Sequence, residues 1–255
     1  MMRFLLPALL VAGQALAADI PPGERRSGFD FMTRDTQQMQ RDDTLNPAML
    51  WVAEGEALWT EAPAAGAMAC AGCHGDAAAS MRGVAARYPA FDAARREPVD
   101  LQQRINLCRE TQQRQPAHLP ESKPLLALAA YLGLQSRGLP LAPPDDARLQ
   151  PARERGAALF RTPMGQLNFS CAQCHDDNWG HRLAGSPIPQ AHPTGYPIYR
   201  LEWQGLGSLQ RRLRNCMTGV RAEPFAYGAD ELVELELYLT TRAAGMPVET
   251  PAVRP

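Results

Sequence analysis

The apolar positions of this chain fall into blocks that occur twice. LLALAAYL (125–132) and LVELELYL (232–239) carry leucines at the spacing of an amphipathic helix. EGEALW (54–59) and ERGAALF (154–160) align Gly55 with Gly156, Leu58 with Leu159 and Trp59 with Phe160. Between these blocks, LQQRINLC (101–108) matches LQRRLRNC (209–216), so that Leu101, Gln102, Arg104, Ile105 and Cys108 correspond to Leu209, Gln210, Arg212, Leu213 and Cys216. Gly138-Leu139-Pro140 and Gly245-Met246-Pro247 close the two rounds, and a glycine followed by proline is a helix stop. Each half therefore reads as an early, a middle and a late helix. Few segments read as strand. The pattern predicts an all-α protein built as an internal repeat. The halves span 46–140 and 141–255, joined by the proline-rich stretch 139–147. Residues 18–45 are polar and predict a surface arm or a partly disordered extension.

The first residues have a different pattern. Arg3 precedes an apolar run from Phe4 to Gly13, and Ala15-Leu16-Ala17 is a small-x-small cleavage site. The run is too short to span a bilayer, so residues 1–17 predict a secretory signal. No later stretch is apolar enough to cross a membrane, and the mature chain is expected in the periplasm with no membrane span. Over 255 residues the net charge is −1, from 26 basic and 27 acidic side chains. A general nucleic-acid binder needs a basic surface, so that class is set aside.

Charge says little about chemistry, whereas the six cysteines say a good deal. CAGCH supplies Cys70, Cys73 and His74, and CAQCH supplies Cys171, Cys174 and His175. C-x-x-C-H is the attachment motif of c-type haem. Two thiols form thioethers to the haem vinyl groups, and the adjacent histidine sits under the iron. A four-cysteine zinc site wants closer pairs, and a thioredoxin-like motif wants a strand before it. Two such motifs in an exported chain predict two covalently bound haem c groups. With the repeat, they predict two tandem class-I-like cytochrome c domains.

Cys108 and Cys216 remain. One reading joins them in a disulfide. The repeat favours another, since each holds the same place in its own half and would be the distal ligand of its own haem. Methionine is the usual distal ligand in electron-carrying cytochromes c. Met81, Met164, Met217 and Met246 do not fall at equivalent points of the two rounds. His118, His181 and His192 also lack repeat partners and read as surface or loop residues, although His192 has a route to the second haem. Arg212, one turn before Cys216, and Arg104, one turn before Cys108, share a helix face with their cysteines. A guanidinium there lowers a thiol pKa or holds an oxyanion, and it equally serves a haem propionate.

Three stretches resemble the SoxA family, the dihaem subunits of the SoxAX cytochromes of bacterial sulfur oxidation. They are NPAMLWVAEGEALW (46–59), CHDDNWGHRLAGSPIPQAHPTGYPIYR (174–200) and RLRNCMTGVRAEP (212–224). The resemblance implies His/Cys ligation of both haem irons, by His74 with Cys108 and by His175 with Cys216. It implies that Cys216 is catalytic as a cysteine persulfide and that Arg212 binds substrate. The implied activity is that of an L-cysteine S-thiosulfotransferase, which joins thiosulfate to a cysteine of the SoxYZ carrier. A monohaem partner, SoxX, would receive the electrons within a heterodimer. The rival expectations are a plain dihaem electron carrier, a dihaem peroxidase and a redox sensor with a Cys108–Cys216 disulfide.

Overall fold

The structure is a computed structural model and describes residues 20–255; the expected signal segment, 1–17, lies outside the described residues. In chain order, α1 (Arg34–Arg41) precedes the first half. That half holds α2 (Met49–Thr60), α3 (Cys70–His74), α4 (Ala77–Ser80), the hairpin β1 (Ala90–Asp92) and β2 (Glu97–Val99), α5 (Leu101–Thr111) and α6 (Lys123–Leu134). The second half holds α7 (Gln150–Arg161), α8 (Cys171–His175), β3 (Arg182–Leu183), β4 (Ser186–Pro187), β5 (Ile198–Arg200), β6 (Gly205–Gly207), α9 (Leu209–Gly219) and α10 (Asp230–Arg242). β7 (Ala252–Arg254) ends the chain and pairs parallel with β5, giving a sheet ordered β6-β5-β7.

The expectation of an all-α protein is therefore corrected. Helices carry the core, but short strands position what lies beside it. These strands are two or three residues long, too short to show a period of two. The hairpins have a common origin in the sequence. YPAFD (88–92) and YPIYR (196–200) lie 108 residues apart, the same offset as the middle helices, and each opens its hairpin with a cis Tyr–Pro bond.

The two cores are alike. α2 packs on α6 and α7 packs on α10. A Cβ at Gly55 would collide with the Ala127 carbonyl, and one at Gly156 with that of Glu234, so each pair meets backbone to backbone. The aromatic residue four positions on then reaches across. Trp59 packs on Tyr131 with centroids 6.2 Å apart, and Phe160 on Tyr238 at 5.4 Å. Such tilted pairs add about 0.5–1.5 kcal/mol beyond the area they bury.

The joining segments are ordered. Gly138 and Gly245 adopt positive φ, and the two closing tripeptides pair with each other through Leu141 N–H to Met246 O at 2.8 Å and Val248 N–H to Leu139 O at 2.9 Å. From residue 20 on, the N-terminal extension is an arm laid along the later chain rather than a partly disordered one. It straps the second half: Arg25 donates to Ala244 O, Gln190 accepts from Arg26 N–H, and α1 packs on β7. Its polar residues satisfy backbone groups of the later chain, which composition does not reveal.

A buried carboxyl bridges the halves. Asp100 caps α5, accepting from Gln103 N–H at 2.7 Å, and it also accepts from Gln210 Nε2 of α9 at 2.8 Å. Burial pushes the Asp100 carboxyl up to about 6, against hydrogen bonds from Gln103, Gln102 and Gln210. Burial and the nearby Asp100 also raise Glu236 on α10, with a smaller push from Glu121.

Two predictions arise from this packing. Gly55→Ala and Gly156→Ala each force a backbone-contacting pair apart, so each should lose about 1–3 kcal/mol or more in denaturant unfolding. The carboxyls bind protons more tightly in the folded chain than in the unfolded one. Stability should therefore fall as pH rises from about 4 through about 6.5. Glu236→Gln should flatten that fall in thermal unfolding measured across the same range.

Candidate functional site

Both C-x-x-C-H motifs form single helical turns, and the second shows why. Ser170 Oγ accepts from Gln173 N–H, and Gln173 Oε1 accepts from Ser170 N–H, a reciprocal cap that starts α8. Asp176, next after His175, forms an ion pair of 2.6 Å with Arg242 of α10, and both side chains are buried. The Arg242 guanidinium also lies 4.7 Å from the Phe160 ring centroid. α8 is thus tied to the α7–α10 pair. In the first half, Trp59 Nε1 donates to Gly75 O and its ring lies 5.6 Å from that of His74.

A cavity of about 530 Å³ adjoins the first motif. Cys70, Cys73, His74, Arg104 and Cys108 line it, with Met81 and His118 at its walls. Burial raises the Cys108 thiol; Arg104 opposes this and Cys73 adds to it. Arg104 is engaged elsewhere: its Nη2 donates to Asp92 Oδ2 at 2.5 Å, and Tyr88 contacts it too.

A second cavity, of about 210 Å³, adjoins the second motif. His175, Arg212 and Cys216 line it with Tyr196, Arg200 and His192. His175 Nδ1 lies 2.6 Å from Pro189 O, which assigns the proton to Nδ1 and leaves Nε2 as a ligand nitrogen. Burial would raise the Cys216 thiol. A hydrogen bond with His175 and the positive charges of Arg212 and Arg200 outweigh it, and the thiol falls below its ordinary value. Cys171, where burial and the neighbouring Cys216 act together, is pushed up to about 12.

The structure thus brings the nine candidate residues, with Arg104 as a tenth, into two separate groups of the same composition. Cys108 and Cys216 line different cavities, and no disulfide joins any of the six cysteines. Each group offers a vicinal thiol pair, an adjacent imidazole and a further thiol on the helix across the cavity. This donor set fits a covalently attached haem: the thiol pair would take the vinyl groups, and the imidazole and the further thiol would be offered to the iron. Of the methionines weighed as distal ligands, Met81 lines the first cavity, whereas Met217 is packed in the core of the second half and Met246 packs beside Leu141 and Val248.

The sequence reading missed two residues of the second cavity, Tyr196 and Arg200, and left His192 between the surface and the second haem. His192 is buried, 8% exposed, rather than at the surface, with its Nδ1 2.9 Å from Arg26 O; burial drives it down to about 4. Tyr196 and Arg200 enter from β5 and the turn before it. Their signal was present in the YPAFD and YPIYR pair, and aligning those segments would have exposed it.

The family model for the SoxA/TsdA cytochrome c domain matches residues 54–141 and again 155–248. The L-cysteine S-thiosulfotransferase subunit SoxA of Pseudaminobacter salicylatoxidans is 37% identical over 92% of this chain and 82% of its own length. The subunit of the same description from Rhodovulum sulfidophilum is 36% identical over 91% of this chain and 80% of its own. The crystal structure of SoxXA from P. pantotrophus superposes with a TM-score of 0.87 at 32% identity, covering 91% of this chain and 87% of that one. With two matched cytochrome segments and relatives of this identity along most of its length, the chain belongs to the SoxA/TsdA cytochrome c family, among its SoxA subunits.

Proposed function

We propose that this chain is the dihaem subunit of a periplasmic L-cysteine S-thiosulfotransferase. Its two tandem cytochrome c domains, 46–140 and 141–255, each hold one haem c. Cys70 and Cys73 would attach the first, and His74 and Cys108 would hold its iron. Cys171 and Cys174 would attach the second, and His175 and Cys216 would hold its iron. The observation that carries the reading is Cys216, set against His175 with Arg212 in the same cavity. SoxA relatives and the SoxXA complex support a SoxX-like monohaem partner. The leader pattern of residues 1–17 supports export. Among the described residues no helix is long and apolar enough to cross a membrane.

The reaction couples a carrier thiol of SoxYZ with thiosulfate. The thiol loses its proton, a bond forms between its sulfur and the terminal sulfur of thiosulfate, and two electrons leave. The product is a cysteine S-thiosulfonate. Arg212 has no ion pair or side-chain hydrogen bond among the described residues, so its guanidinium is available for a sulfonate group. Cys216 lines the same cavity, and the family resemblance makes its sulfur, held as a persulfide, the point at which covalent catalysis would act. The haem, when bound, supplies one-electron redox chemistry at that sulfur. Walls formed by Pro189, Ile198 and Leu213 limit water around it.

Cys216→Ala should retain haem at both motifs, read from absorbance and mass, and abolish thiosulfate-dependent electron release with the partner and carrier present. Retained release would remove Cys216 from the chemistry. Arg212→Ala should lower kcat/KM for thiosulfate by about 10–100-fold, the loss of one charge-assisted contact. Arg104→Ala should act on stability instead, because it leaves Asp92 unpaired. Equal losses of turnover in the two variants would mark both arginines as structural.

A further inference from the structure

The two halves differ in charge at one equivalent position. Asp92 ends β1, and Arg200 ends β5 at the offset of 108 that relates the middle helices. In the first half the aspartate forms an ion pair with Arg104, which neutralises it. In the second half an arginine stands in its place and lines the same cavity as Arg212, Tyr196 and Cys216. The charge of Arg212 acts on Arg200, and both arginines act on Cys216.

Arg200 is held rather than loose. Its Nε donates to Pro255 O at 2.9 Å, its Nη2 to Glu202 at 2.8 Å, and its guanidinium lies 5.1 Å from the centroid of Trp203. Glu202 is 60% exposed, so its charge is largely screened by solvent. Nη1 of Arg200 has no partner among the described residues. The third arginine of the sheet, Arg254, is compensated more fully: its ion-pair partner Glu249 is 14% exposed, where the Glu202 paired with Arg200 is open to solvent, and it is also bonded to Gln40. Two cations brought together in a half-closed cavity repel unless an anion sits with them. One guanidinium matches a monoanion; two match a dianion such as thiosulfate.

We infer that Arg200 is a substrate-positioning residue that shares a sulfur oxyanion dianion with Arg212. The exchange of an aspartate for an arginine between the two halves therefore restricts anion binding to the Cys216 cavity. The inference rests on the reading of that cavity as a thiosulfate site.

The test uses the dihaem protein in complex with its monohaem partner. Calorimetric binding of thiosulfate without carrier gives a Kd, and steady-state turnover with carrier gives kcat and KM. Arg200→Gln should raise both Kd and KM by about tenfold or more and leave kcat within a few-fold. Arg200→Lys should recover most of the affinity, and Arg200→Asp, which copies the first half, should abolish binding. Arg104→Gln should leave Kd unchanged. Haem absorbance and thermal unfolding of each variant report its folding. Unchanged Kd and KM in Arg200→Gln would overturn the inference. So would an equal collapse in Arg200→Lys together with altered haem absorbance, which would make Arg200 structural. If the parent complex binds thiosulfate but never turns it over, the functional reading fails while the two-arginine site stands.

Discussion

The backbone contact of two helices at a glycine governs most of this molecule. At Gly55 on Ala127, and again at Gly156 on Glu234, no side chain fits between the partners. That approach brings Trp59 onto Tyr131 and Phe160 onto Tyr238. The motif helices are anchored to these pairs, through Trp59 to Gly75 in one half and through Arg242 to Asp176 in the other. A methyl group at either glycine would shift the helices and with them the histidines that the motifs present.

On this shared frame the halves diverge through charge. The first half joins its middle-helix arginine to Asp92, leaves the Cys108 thiol raised, and opens a wide cavity. The second half leaves Arg212 without a carboxylate partner, adds Arg200, and lowers the Cys216 thiol inside a smaller space. Two similar helix pairs present a similar set of donor side chains twice. In the proposed reading, reactivity differs because one half screens its arginine and the other does not. The N-terminal strap contributes as well, since Gly28, Phe31 and Met32 help wall the second cavity.

Much of this was legible in the sequence because it is periodic or motif-bound. The helix blocks, the C-x-x-C-H turns, and the pairing of Cys108 and Cys216 with their arginines each need only local spacing. What escaped was set by distant partners. Strands of two or three residues have no period to read, and β7 pairs with a strand more than fifty residues earlier. The polar extension looked unstructured because its partners, such as Gln190, Ala244 and Glu249, lie some two hundred residues on. His192 looked superficial because the residues that bury it come from elsewhere in the chain. Arg200 was hidden differently: its meaning lies in the contrast with Asp92, which appears only when the hairpins are aligned.

The central claim is that Cys216 is a sulfur-carrying residue beside the second haem. Its most direct test is the intact and peptide mass of the protein purified from periplasm without reductant. The account predicts two attached haems and one extra sulfur on the peptide that contains Cys216. A Cys216 peptide crosslinked to Cys108 would contradict it, and would return the pair to the role of a structural disulfide.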